Sequence, residues 1–584
     1  MSQRLAVTVL FTLGVLSVVA PASAVNPESE TLSARLEREV PELMRAGDIP
    51  GMSIVVIQDG KIYWSGALGV RDVATGALVQ KDTVFSAASL SKPVVAYVAL
   101  RLADRGLIDL DTPLFTYLPY DRLREEKRAG LITARMVLSH STGLPNWGPE
   151  KLSLVSAPGE RFGYSGEGFL YLQRVLEKLT GMPLQDLARK EVFEPLGMKR
   201  SSFVWESSFS TGGGAVVGVD EVGQAQTIPM DRPANAASSL LTTAEDYARF
   251  LIAVLINGQG LKKATADAML TPQIRVSGQI FDPKSPPGTG EVAWGLGCGL
   301  ERSDSKEPFW FWHWGDNGGF RNWMTVSREK RSGVVYFTNT FEGLSIAEAV
   351  SSLAVGASQP AFGRLQYERY DSPRRLARID IERIFSKQGG ETGLQHFREL
   401  QAKSPDVVDA KLGKDLASFL NNTGKSEAAH AVAKLSLEAH PNSIEAQENF
   451  GEAALRAGEF EVARASFAKV VTLQPDDPEI KREIQWVDEV LAAQKSPPPL
   501  STESLRRFAG NYGARHIKLD GSALFYQREG RPSYKLLPLS GDTFFLEGLG
   551  FFRLRFVTNG EGHVTKLIGL YSDGSEDESP RTAG

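Results

Sequence analysis

The chain has 584 residues, 42% of them hydrophobic and 23% charged, with a formal net charge of -5. That length predicts about two to four domains, the composition is that of a globular protein, and so mild a charge gives no support for nucleic-acid binding. The single cysteine, Cys298, excludes an internal disulfide, so stability must come from packed cores.

Residues 1–24 read as an export signal. Arg4 precedes the apolar run Leu5 to Ala20, and Ala22-Ser23-Ala24 has the small-residue pattern of a signal-peptidase site. The run is short for a membrane span, and a retained anchor is the competing reading. The expected location is the periplasm or the medium, with no stable membrane span after cleavage.

Residues 25–361 mix strand and helix patterns. Ser53 to Gln58, Asp59-Gly60 and Lys61 to Ser65 predict a hairpin. Helical patterns follow, among them Pro93 to Arg105 and Phe169 to Leu179, and strand-like runs return at Pro308 to Trp314, Phe320 to Ser327 and Gly333 to Asn339. Strands at both ends of a helical middle predict an α+β domain: one antiparallel sheet closed by distant segments, with a helical subdomain inserted.

Residues 362–494 read as all helical. Pro441 and Pro475 lie 34 residues apart, as do Gly424 and Gly458, and Ala429 and Ala463. The series Phe450-Gly451, Leu455, Gly458, Ala463, Phe467 and Pro475 resembles a tetratricopeptide repeat. The unit ending at Pro441 is a weaker copy, and a third is suggested around Gly390. Such repeats are either a helical spacer or a surface for a protein partner. Residues 495–504 form a Pro-rich linker. Short strands around Asp520-Gly521 and Asn559-Gly560 predict a small all-β sandwich or barrel over residues 505–575. The acidic tail, 576–584, is expected to be disordered.

The chemistry centres on Ser89 and Lys92. Three residues apart, the two share one helical face, so a hydroxyl and an amine meet as nucleophile and base. Three other pairs have this spacing: Ser303/Lys306, Ser327/Lys330 and Ser466/Lys469. Only Ser89 stands before a long apolar helical run, where exposed backbone N–H groups can hold an oxyanion. Read locally, a capping serine beside a solvated lysine fits equally well. Tyr164, in the turn-rich stretch Pro158 to Gly166, could relay the serine proton if Lys92 lowered its pKa; the alternative is a core aromatic. Phe311 to Phe320 carries His313 on a strand ending in glycines, which permits close approach of a ligand.

Taken in order, these three stretches resemble the serine β-lactamase and penicillin-binding superfamily, above all its class C β-lactamase-related branch of D-Ala-D-Ala carboxypeptidases, D-aminopeptidases and family VIII esterases. Gly51-Met52-Ser53, Ile132 to Pro145, Glu194 to Met198, Ser239 to Thr243 and Trp294 to Gly297 resemble it too. The resemblance implies that Ser89 is acylated, Lys92 activates it, and Tyr164 acts as base or relay. It also implies an oxyanion hole from the N–H groups of Ser89 and Asp316, beside Gly315.

Two positions depart from the pattern. Gly166 stands where relatives carry an asparagine that binds the substrate amide, and His313 where many carry lysine. A histidine of ordinary pKa is mostly neutral at pH 7 and holds a carboxylate poorly. Esters or peptide-like amides are therefore the expected substrates, and efficient penicillin hydrolysis is not. No cofactor is expected; the seven histidines form no His-Glu-x-x-His motif. The rival reading is a non-catalytic sensor that uses this fold and the repeats to bind ligand or protein.

Overall fold

Asp59 and Gly60 both adopt positive φ, 52° and 70°, the twist a two-residue hairpin needs. They join strands Gly51–Gln58 and Lys61–Asp72. The structure, a computed structural model, describes residues 30–281, 290–475, 477–528, 532–572, 574 and 576–582. The expected signal segment lies outside them. Among the described residues no helix is long and apolar enough to cross a membrane.

The hairpin belongs to a nine-stranded antiparallel sheet. Its first strand pairs with Ser332–Thr338, in the register Met52 to Thr338 through Ile57 to Gly333. Distant ends of the domain thus close the sheet, as the sequence pattern predicts. The strand alternates sharply: Val55 and Ile57 enter the core beneath the helical middle. Met52, Ile54 and Val56 enter a second core with helices Leu32–Ala46 and Ala347–Val355. Both faces are covered, which leaves the cleft between sheet and helical subdomain as the place for chemistry.

Seven helices follow between Pro373 and Lys495. Three of them begin 34 residues apart, at Ala410, Ile444 and Pro478, and so do two of their partners, at Ser426 and Phe460. Gly424 and Gly458 supply the left-handed turn between paired helices, at φ 75° and 74°.

The C-terminal strands form one eight-stranded antiparallel sheet, Gly510–Tyr512 through Glu576–Pro580. It curls into a nearly closed barrel, because Thr582 bridges back to Asn511. The expected disorder of 576–584 is corrected over 576–582; residues 583 and 584 lie outside the described residues. Residues 576–580 form a strand against Val564–Tyr571, and the Asp577 carboxylate receives the buried Arg515 guanidinium. Acidic composition suggested solvation; alternate side chains face solvent while the backbone joins the ladder. The barrel is docked on the helices: Trp486 Nε1 donates to Gly550 O at 2.7 Å, and Arg553 pairs with Glu489 at 2.5 Å.

Candidate active site

Ser89 sits in a turn between strand Phe85–Ala88 and helix Ser91–Asp104. The residue before it, Ala88, has φ +50°, a conformation that costs a non-glycine residue roughly 1–2 kcal/mol and often marks a functional turn. Ser91 anchors the turn by donating to Ala88 O and accepting from Leu240 N. Ser89 is left partly exposed, facing the cleft.

Lys92 Nζ donates to Ser89 Oγ at 3.0 Å and to Ala237 O at 2.8 Å. Of the four Ser/Lys pairs of this spacing, this one has such a bond among the described residues; Lys330 Nζ instead reaches Glu307. Lys92 is fully buried, and burial holds its pKa well below the ordinary value. No carboxylate of the described residues forms an ion pair with it; its remaining contacts are the rings of Tyr164 and Phe169, 4.8 and 5.7 Å from Nζ to centroid. A buried amine without a counter-ion can be neutral near pH 7, and a neutral amine can take a proton.

Tyr164 stands across the cleft, on the loop before helix Gly166–Thr180, which Ser165 caps through Gly168 N. It is buried, and the expectation that Lys92 lowers its pKa is corrected: burial raises it strongly, Ser89 acts in the opposite direction and Asp316 adds to the rise. The phenol therefore stays protonated. It faces Ser89 without a hydrogen bond of regular geometry.

His140, which the sequence reading passed over, packs its ring 4.3 Å from that of Tyr164. It lies in the stretch Ile132 to Pro145, has φ +53°, and accepts from Ser165 N through Nδ1 at 3.0 Å. That bond places its proton on Nε2. Burial, then the nearby Lys92 and His313, hold it neutral.

His313 lies on strand Trp310–Asp316 and is fully buried. Its Nδ1 is 2.7 Å from Trp314 O, so Nδ1 carries the proton. Burial, then Lys92, push its pKa down to about 3. It is neutral, as the sequence suggested, but it is also shut away from any substrate carboxylate. Gly315 permits the strand to reach the turn that carries Ser89: a Cβ there would stand 2.4 Å from Ala87 O. Asp316 is clamped beyond it, by Tyr367 Oη at 2.6 Å, Arg321 Nε at 3.0 Å and Gly318 N at 3.0 Å. Tyr367 belongs to the segment leading into the helices, and no local motif marked it.

Gly166 has a packing reason. A Cβ there would come within 2.6 Å of the Trp147 ring. The half-exposed indole thus covers the position where an asparagine anchor would project. Among the described residues no group of three or more His, Cys, Asp or Glu is arranged to hold a metal ion.

A family model described as Beta-lactamase matches residues 36–355. Esterase EstB of Burkholderia gladioli is 30% identical over 31% of this chain and 54% of its own length. Penicillin-binding protein 4 of Amycolatopsis lactamdurans is 28% identical over 48% and 77%. The chain thus spans only about half of that esterase. Among solved structures, the octameric penicillin-binding protein homologue from Pyrococcus abyssi is 18% identical with a TM-score of 0.47, over 94% of this chain and 99% of that one. A class C beta-lactamase is 19% identical with a TM-score of 0.47, over 57% and 98%. With the family model matching more than half of its length, the chain belongs to the Beta-lactamase family of serine hydrolases.

Proposed function

We propose that this protein is an exported serine hydrolase that cleaves ester or peptide-like amide substrates through an acyl-enzyme on Ser89. The carrying observation is the 3.0 Å contact between Ser89 Oγ and the buried, unpaired Lys92 amine. Neutral Lys92 removes the serine proton as Oγ bonds to the substrate carbonyl carbon. The N–H groups of Ser89 and Asp316 hold the oxyanion, a contribution worth roughly a hundred- to a thousandfold per donor. Tyr164, kept protonated by burial, passes a proton to the departing alkoxide or amine and regains one from Lys92. Water then adds to the acyl carbon as neutral Lys92 takes one of its protons, and that proton passes to Ser89 Oγ as the acyl–oxygen bond breaks and the acid leaves. His313 and His140 shape the pocket as neutral rings.

β-Lactams are poor substrates in this reading, because His313 offers no cation and Trp147 displaces the amide anchor. An esterase and a penicillin-binding protein both stand among the relatives, which supports acyl transfer without choosing the acyl group. The helices are read as tetratricopeptide-like, supported by their 34-residue recurrence, and they are available to a protein partner. Export rests on Arg4 and the apolar run that follows it.

Hydrolysis of p-nitrophenyl esters, a chromogenic cephalosporin and D-amino-acid peptides tests this directly. Turnover of esters or peptides well above the cephalosporin is expected. Absence of turnover on all three classes would overturn the enzyme reading in favour of a ligand sensor.

A further inference from the structure

We infer that Arg232 holds a carboxylate of the substrate in a small pocket beside the nucleophile. This deepens the proposed hydrolase reading and rests on it.

The pocket has a volume of about 100 Å³ and lies where the loop leading to Ser238 meets the end of the His313 strand. Its walls are mostly apolar, including Phe203, Trp205, Ile228 and Phe320. Its polar lining is tied to the catalytic centre. Asn317 Nδ2 donates to Ser86 Oγ at 3.2 Å and to Ser238 O at 3.1 Å. Ser238 directly follows Ala237, whose carbonyl holds Lys92. The pocket is thus joined to the anchor of Lys92 through Asn317, Ser238 and Ala237, and Ser86 in its lining stands three residues before Ser89.

Arg232 projects into this lining from the loop. Its Nη2 donates to Ser238 Oγ at 2.8 Å. The rest of the guanidinium fork has no protein acceptor among the described residues, and no carboxylate of those residues pairs with it. Two other partly buried arginines show the usual match: Arg122 reaches Glu167 and Arg302 reaches Glu291, while Arg71 and Arg200 are held by backbone carbonyls instead. A partly buried guanidinium is costly to leave unmatched. Burial depresses its pKa. One planar fork between apolar walls suits a singly charged carboxylate, which it can bind through two hydrogen bonds. The anion site thus lies apart from the position of His313, which relatives fill with lysine, and Arg232 would select acyl or leaving groups bearing an acid at some distance from the scissile bond.

The test compares mono-p-nitrophenyl adipate with its methyl ester, which differ only in the charge. Wild type should prefer the acid, and Arg232→Gln should reduce the acid-to-ester ratio of kcat/KM by about ten- to a hundredfold, the effect of losing a charge-assisted hydrogen bond. The change should appear mainly in KM, and Arg232→Lys should restore part of the preference. Equal ratios in wild type and Arg232→Gln would overturn the inference while leaving ester hydrolysis, and so the hydrolase reading, intact. If neither ester is turned over, calorimetric titration with adipate decides: binding lost in Arg232→Gln supports the pocket, and no binding to wild type refutes it.

Discussion

Lys92 and Arg375 are both cations buried to 1% exposure or less, and their surroundings are opposite. Arg375 lies where helix Pro373–Gln388 meets the end of helix Leu32–Ala46. It is bound by Glu342 at 2.7 Å, Asp48 at 3.1 Å, and the carbonyls of Ala46, Gly47 and Tyr370. Burial alone would raise the pKa of Glu342, but Arg378 and Arg375 outweigh it and keep the carboxyl below its ordinary value. Lys92 has a hydroxyl, a carbonyl and two aromatic faces, and no anion among the described residues pairs with it. The fold matches the cation that joins its parts and leaves unmatched the one that the proposed mechanism needs as a neutral amine. Burial is the same; the partner set decides whether charge means adhesion or reactivity.

Removing each cation tests this contrast. Lys92→Met should lower ester hydrolysis by roughly a thousandfold or more, while urea unfolding shows stability unchanged or improved, because the desolvated amine is gone. A stability loss of several kcal/mol in that variant would break the distinction. Arg375→Met should do the reverse. Glu342 keeps Arg378 and the exposed Asp48 is solvated, so the loss comes from the carbonyls of Ala46, Gly47 and Tyr370 and from one of the two cations on Glu342; about 1–3 kcal/mol is expected, with the activity of the folded fraction retained.

A buried acid gives the pH counterpart. Glu301 is fully buried, accepts from Ala361 N, and burial raises its pKa from 4.5 to about 8. The folded state thus holds a proton that the unfolded state loses above about pH 4.5. Stability from this site is complete below that value and should fall by about 1.4 kcal/mol per pH unit until about pH 8. Urea midpoints measured across that window should decline in wild type and flatten in Glu301→Gln.

The smallest effect concerns the clamp on Asp316. Tyr367→Phe leaves Arg321 and Gly318 N in place, so a fall of about tenfold in kcat with little change in KM is expected. Steady-state kinetics would show it, and a change confined to KM would assign Tyr367 to binding instead.

Much of this was legible in the chain because it depends on local spacing. Asp59-Gly60 specified the hairpin, and Ser89 and Lys92 were near neighbours whose separation sufficed to bring Oγ and Nζ together. Tyr164 and His313 were reachable through the order of motifs. What stayed hidden depends on contacts across long separations. Tyr367 meets Asp316 over 51 positions, and Arg375 meets Asp48 over 327. Neither residue type is unusual where it stands. The sign of the Tyr164 shift was missed for a related reason: proximity to Lys92 could be guessed, but the depth of burial that outweighs it could not. Gly166 looked like a missing anchor, and only the fold revealed Trp147 over it.

The central claim is that Ser89 becomes acylated because an unpaired buried amine deprotonates it. Intact-mass analysis after exposure to a fluorophosphonate, with peptide mapping and a series of pH values, tests it most directly. The account predicts one adduct, on Ser89, absent in Ser89→Ala and strongly slowed in Lys92→Met, with labelling in wild type rising through a pKa below that of ordinary lysine. An adduct on another residue, or labelling of Lys92→Met at the wild-type rate, would contradict it.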